Sequence, residues 1–313
     1  MAGHAMEGRD APPARGDLLV AAMPAVFVLI WSTGFVVARY GMPHTGPMTF
    51  LAWRYLFSIV AFMVWIALAG LPRSAWPRGR AQWLHLGVTG LLMHAVYLGG
   101  VWAAVRQGMG AGTVALLIGL QPVLTAMWVS WQGSEHRITA RQWAGLALGL
   151  AGITLVVGRR LGQGEVTTLN LGLTLLALLA ITSGTLYQKR HVAPCDVRTA
   201  NTVQLLAALV VTAPLAWLED AAVQMHPELI GAMAWSVIGL TLGGSSLLYL
   251  LIQRGAATRV TSLMYLVPPC TAVMAWALFG EALGVPLLLG LVLTAGGVWL
   301  VVRAAPPAAQ REV

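Results

Sequence analysis

Arg54 is the residue whose chemistry most needs explaining. It alone interrupts an apolar stretch from about Thr45 to Pro72, and a charge deep in such a stretch costs roughly 2.5 to 3.5 kcal/mol on insertion scales. A guanidinium held there suits a carboxylate or another anion; alternatively, its long stem carries the charge outward to headgroups or helix-end carbonyls. His94 and Tyr97 are three residues apart, which places them on one face of a helix. An imidazole near the middle of such a helix either relays a proton coupled to substrate movement or makes one interhelical hydrogen bond. Trp31, Ser32, Thr33, Gln121, Ser183, Tyr187, Tyr249 and Tyr265 add hydroxyl, amide and aromatic groups within other apolar runs. Each suits either a small polar ligand or a helix-packing contact.

What is missing narrows the chemistry. No Asp or Glu lies inside an apolar run; Glu135 and Glu281 stand at the ends of two of them, as end caps or salt-bridge partners. Buried carboxylates that bind lipophilic cations are therefore not expected, nor is a membrane-embedded enzyme built on an intramembrane acid pair. No histidine cluster has metal-ligand spacing, so neither a metal nor a cofactor is expected. Cys195, in a connection, and Cys270, in an apolar run, make no disulfide framework.

The elements that position these groups are membrane helices. Of 313 residues, 58% are apolar and only 10% charged, against about 25% charged in an ordinary soluble domain. Runs free of Asp, Glu, Lys and Arg cover Leu18 to Ala38, Ala81 to Val105, Gln107 to Ser134, Gln142 to Gly158, Val166 to Gln188, Thr199 to Leu218, Leu229 to Gln253, Val260 to Gly280 and Ala282 to Val302. With the Arg54 stretch that makes ten spans, each near the roughly 20 residues a bilayer requires. Short connections leave no room for a soluble nucleic-acid-binding domain, so the net charge of +8 belongs to topology. With both termini inside, 14 of the 19 Lys and Arg residues fall on the cytoplasmic side, as the positive-inside rule requires. The polar residues 1–17 read as a disordered cytoplasmic tail, and 304–313 as a second cytoplasmic tail.

The chain also repeats itself. At an offset of 146, Val114, Leu117, Leu120, Pro122, Thr125, Ala126 and Glu135 meet Val260, Leu263, Leu266, Pro268, Thr271, Ala272 and Glu281. At an offset of 145, Gly145, Leu146, Leu148, Gly152, Leu155, Val156 and Val157 meet Gly290, Leu291, Leu293, Gly297, Leu300, Val301 and Val302. Two five-helix halves result, 18–158 and 166–303, and an odd number of spans makes the second inverted. Inverted repeats are a transporter arrangement, because two halves of similar energy can expose a midplane site to each side in turn. Under the repeat Arg54 falls opposite Gln204, or Asn201 if the register slips, so the charge is not duplicated. Pro122, Pro268 and Pro269, at matching places in helices 4 and 9, free backbone carbonyls and make candidate gates. Gly145, Gly149 and Gly152 with Gly290 and Gly297 serve close packing of helices 5 and 10, or a homodimer seam through them.

The paired blocks carrying "ALLIGLQPVLTA" and "SLMYLVPPCTAVMAWALFGE", with "FVLIWSTGFVVARYG" and "FLAWRYLF", resemble the EamA branch of the drug/metabolite transporter superfamily. Ser134 departs from the glycine common in that family before the Glu. The resemblance implies ten helices, a bacterial inner-membrane location, export of small metabolites such as amino acids, and a cavity lined mainly by helices 1, 3, 4, 6, 8 and 9. Taken together, an all-α integral membrane protein of two inverted repeats is expected, exporting amino acids or related zwitterions and anions by alternating access. A uniporter or exchanger for sugar-phosphate-like or nucleotide-sugar-like anions is the alternative, although Arg54 alone supplies buried positive charge for it.

Overall fold

The computed structural model describes residues 15–132, 139–161, 164–219, 222–244, 246–247 and 264–304. These form helices α1 (Arg15–Gly41), α2 (Pro47–Leu68), α3 (Gly79–Arg106), α4 (Ala111–Ile118, resuming over Gln121–Gln132) and α5 (Ala140–Leu161). The second half supplies α6 (Thr168–His191), α7 (Val197–Trp217), α8 (Pro227–Trp235, widening over Ser236–Gly244), α9 (Val267–Phe279) and α10 (Val285–Ala304). Six of these, α2 to α7, are long and apolar enough to cross a membrane, while the apolar parts of α1, α9 and α10 are shorter. By length and composition, six of the ten expected crossings are present among the described residues.

Local sequence explains several helix ends. Thr167 and Asn170 form a reciprocal capping box that starts α6, with bonds of 3.2 and 2.8 Å. Asp196 starts α7 by accepting the Arg198 backbone N–H at 2.9 Å, and the Arg198 bonds hold its carboxyl below the usual range. Two helix starts in the first half are completed from a distance by three carboxylates. Glu219, just past α7, accepts from Met48 N and from Thr49 N and Oγ1, each at 2.8 Å, at the start of α2. A Cβ on Gly46 would stand 2.1 Å from that carboxylate, so glycine is what lets it close on the helix. Glu281, just past α9, accepts from Ala111 N at 2.9 Å and Gly112 N at 3.3 Å, while Glu165 accepts from Gly110 N at 3.0 Å. Each places negative charge on amides that lack an intrahelical partner, at a positive helix end. Glu281 is thus a cap, but of the α4 start in the other repeat rather than of the helix it ends; Glu135 lies outside the described residues.

The halves interlock. Helix α5 runs along α10, α2 along α7, and the first part of α4 crosses α9, while α1 packs on α8 and α9 and α6 on α3 and α4. Small residues permit the closest of these approaches. A Cβ on Gly297 would lie 2.4 Å from the Gly145 carbonyl, and one on Gly152 would lie 2.8 Å from the Gly290 carbonyl. The glycine rows of α5 and α10 therefore face each other inside the chain. A homodimer through these helices would have to use their outward faces, where Trp143, Leu150, Leu288 and Val292 are exposed.

Candidate functional site

Helix α2 has a clean division of faces. Trp53, Leu56, Phe57, Val60 and Val64 point outward, whereas Leu51, Arg54, Tyr55, Ser58 and Phe62 are buried, the 3.6-residue period of an amphipathic helix turned inside out for lipid. Arg54 belongs to the interior face and is only 8% exposed. Its charge is therefore not carried out to the headgroups. Instead, Nη2 donates to Thr241 Oγ1 at 3.4 Å, Nε is buried without a partner, and no carboxylate lies within ion-pair distance among the described residues. Ser58 Oγ, one turn further along the same face, and Ser236 Oγ, in α8, are likewise buried without partners among the described residues. A buried cation lacking an anionic partner is costly unless something else supplies the charge.

Two widened turns converge here. Within α3 the backbone opens into a π turn over Leu91–Val96, and within α8 over Ser236–Gly244; at an offset of 145 the first falls on the start of the second. Such turns interrupt the regular helix and cluster at functional places. The first carries His94, whose carbonyl accepts the Tyr55 hydroxyl at 2.8 Å and whose ring lies 6.0 Å from the Tyr55 ring. His94 stands within electrostatic reach of Arg54 and beside Gln204, and buried Tyr97 is within reach of Arg54 as well. The second turn carries Thr241, which donates to Ser236 O at 2.8 Å while accepting from Arg54. Arg54, His94, Tyr97 and Gln204, singled out separately in sequence, thus meet across α2, α3 and α7.

Comparison with known proteins decides the family. The sequence pattern of the EamA-like transporter family matches residues 16–158 and 169–303. The chain belongs to that family. An Escherichia coli K12 protein named "Probable amino-acid metabolite efflux pump" is 24% identical over 76% of this chain and 70% of its own length. The E. coli K12 "Uncharacterized inner membrane transporter YedA" is 26% identical over 80% of this chain and 79% of its own. An Archaeoglobus fulgidus transporter is 24% identical over 88% of this chain and 94% of its own. A solved crystal structure shares the fold, with a TM-score of 0.62 at 17% identity over 90% of this chain and 97% of that one. The protein is a membrane transporter of the EamA type.

Within this EamA-type fold the other candidate residues divide. Gln121 Nε2 donates to Thr185 Oγ1 at 3.1 Å, joining α4 to α6. Ser32 is fully buried and spent on packing: its hydroxyl donates to Val28 O at 2.7 Å and its carbonyl accepts Thr271 Oγ1 from α9 at 3.1 Å. Thr33 Oγ1 accepts Trp235 Nε1 at 2.7 Å, and the Trp31 ring packs on Phe27 at 5.4 Å. Ser183 departs from expectation, because it continues the outward stripe of α6 marked by Leu175, Leu176 and Leu179. Thr182 and Thr185 occupy the inward positions around it. Tyr187 also belongs elsewhere: its hydroxyl meets His85 Nδ1 at 2.8 Å and its ring stacks on His191 at 4.5 Å, near the other end of α3. Tyr249 and the side chain of Tyr265 lie outside the described residues.

The prolines are placed differently from mid-helix kinks. Pro122 follows a break in α4 at Gly119 and Leu120, and Pro268 and Pro269 open α9 after a short 3-10 turn over Met264–Leu266. At a first turn the missing N–H removes no helical bond. A Cβ on Gly119 would lie 2.9 Å from Pro268 Cγ, so the two breaks cross at one point. Sequence reasoning missed Tyr55, Ser58 and Thr241. Ser58 was within reach, being one helical turn from Arg54; Thr241 was not, since only tertiary packing brings α8 to α2.

Proposed function

We propose that this chain is a secondary transporter of the bacterial inner membrane that exports amino acids or related zwitterions and anions by alternating access. The observation that carries the proposal is Arg54: a guanidinium buried between two π turns, with no partner for Nε and no carboxylate beside it among the described residues. A substrate carboxylate supplies the missing charge through a charge-assisted hydrogen bond, the strong kind available to Arg. Ser58 and Ser236 stand ready as further donors, and His94, Tyr97 and Gln204 complete the polar wall. The E. coli relative's name points to the same substrate class. Ten crossings with both termini cytoplasmic fit the two family-matched halves and the inward excess of basic residues.

Flux in proteoliposomes tests this. Labelled amino acids and organic anions are offered with and without a pH gradient, for the parent and for Arg54→Ala. Movement of a zwitterion or anion should fall at least about tenfold in the variant, as expected when a buried charged partner worth 1.5 to 3 kcal/mol is removed. Unchanged kinetics would take Arg54 out of the site. Exchange indifferent to pH would favour the anion exchanger and leave His94 a packing residue.

A further inference from the structure

A second group of chemistry-bearing side chains stands at the face where α1 ends and α8 begins. His44 lies in the turn between α1 and α2, while His226 caps α8 and Glu228 sits in its first turn. His44 Nε2 is 3.0 Å from Glu228 Oε2, His226 Nδ1 is 3.8 Å from the same oxygen, and one ligand atom from each of the three lies within 4.8 Å of the others. The two imidazoles stack with centroids 4.3 Å apart. The side chain of His44 is 13% exposed, against 49% for His226 and 47% for Glu228. One ligand is thus held in the fold while two face solvent.

We propose that His44, His226 and Glu228 form a site for a borderline-soft divalent cation of the Zn²⁺ kind, bridging the two repeats. Two imidazoles and a carboxylate are a ligand set Zn²⁺ accepts, with bonds of about 2.0 to 2.2 Å and a fourth place left to water. Neighbouring ligand atoms on such an ion stand roughly 3 to 3.5 Å apart, which the His44 and Glu228 pair meets already. Cofacial rings point their nitrogens along parallel planes, so the His226 ring must leave the stack and turn toward the ion; its exposure permits this. The site joins the first repeat to the second. The same seam is already sewn by Gln224 N donating to His44 O at 2.8 Å and by the Glu219 cap on α2. An ion here fastens the α1–α2 turn to the connection before α8 and so resists any movement that parts the repeats at this face.

Thermal unfolding of the purified chain in detergent decides the matter without reference to transport. Zn²⁺ in about a hundredfold excess over its dissociation constant should raise the midpoint of the parent by roughly 5 °C, and Mg²⁺ should not. The shift should vanish in His226→Ala and in Glu228→Gln, both exposed positions, and persist in His85→Ala, which tests the other histidine cluster. No shift in the parent overturns the proposal, as does an equal shift in His226→Ala.

Discussion

The π turns of α3 and α8 occupy equivalent places in the two repeats, yet their side chains are opposites. In α3 the residue before the turn is Gly90, where a Cβ would lie 2.2 Å from the Gln204 carbonyl, so α7 rests directly on the α3 backbone. Its counterpart in α8 is Trp235, which reaches Thr33 in α1. Within the turns the sizes reverse: His94 in α3 corresponds to Gly239 in α8, and a Cβ on Gly239 would lie 2.8 Å from the Trp235 ring. The His94 carbonyl is satisfied from outside by Tyr55 of α2; the Ser236 carbonyl is satisfied from within by Thr241. A symmetric backbone thus carries an asymmetric lining. The repeat supplies two equivalent openings in the helix ladder, and substitution gives one an imidazole within electrostatic reach of Arg54 and the other a hydroxyl bonded to it.

Breaking the closest contact should have the largest effect. Gly90→Val forces a branched side chain against the α7 backbone, and overpacking of this kind costs about 1 to 3 kcal/mol and sometimes more. The midpoint of unfolding should drop sharply, and Gly239→Ala should be milder, because the neighbouring atoms there belong to an indole side chain rather than to backbone. A mild Gly90→Val would mean that the two turns are not held differently. Tyr55→Phe comes next. It leaves the His94 carbonyl without its hydroxyl donor at a cost of about 1 to 3 kcal/mol, read as lower thermal stability and faster amide exchange over Leu91–Val96. Thr241→Val should be smallest. It removes a 3.4 Å contact to Arg54 and a bond made within its own turn, so substrate KM should rise a few-fold with kcat nearly unchanged. A loss as deep as that of Arg54→Ala would place Thr241 on the substrate itself.

Much of this was legible in sequence because it depends on local or periodic signals. Charge-free runs mark where helices cross, paired blocks mark the repeat, and Arg54 announces itself by interrupting apolar sequence. The differences between expectation and structure share a cause. Ser183 and Tyr187 qualify from sequence as polar groups within an apolar run, but which face of a membrane helix looks inward is set by its neighbours. Pro122 and Pro268 suggested bends within helices 4 and 9 but stand just after helix breaks, because the position of each break depends on backbone that sequence does not place. The histidine cluster left no local trace, because His44 and His226 belong to different halves.

The amino-acid sequence by itself determined that this chain is helical and membrane-embedded, that it is built twice over, and that one arginine stands where charge is expensive. Those properties follow from hydropathy, period and composition, which act along the chain. Tertiary structure alone decided that the two π turns meet at Arg54, that Glu219 and Glu281 cap helices of the other repeat, and that His44 finds His226 and Glu228. Those are contacts between distant segments, and only the packing of helix on helix brings their atoms within bonding distance.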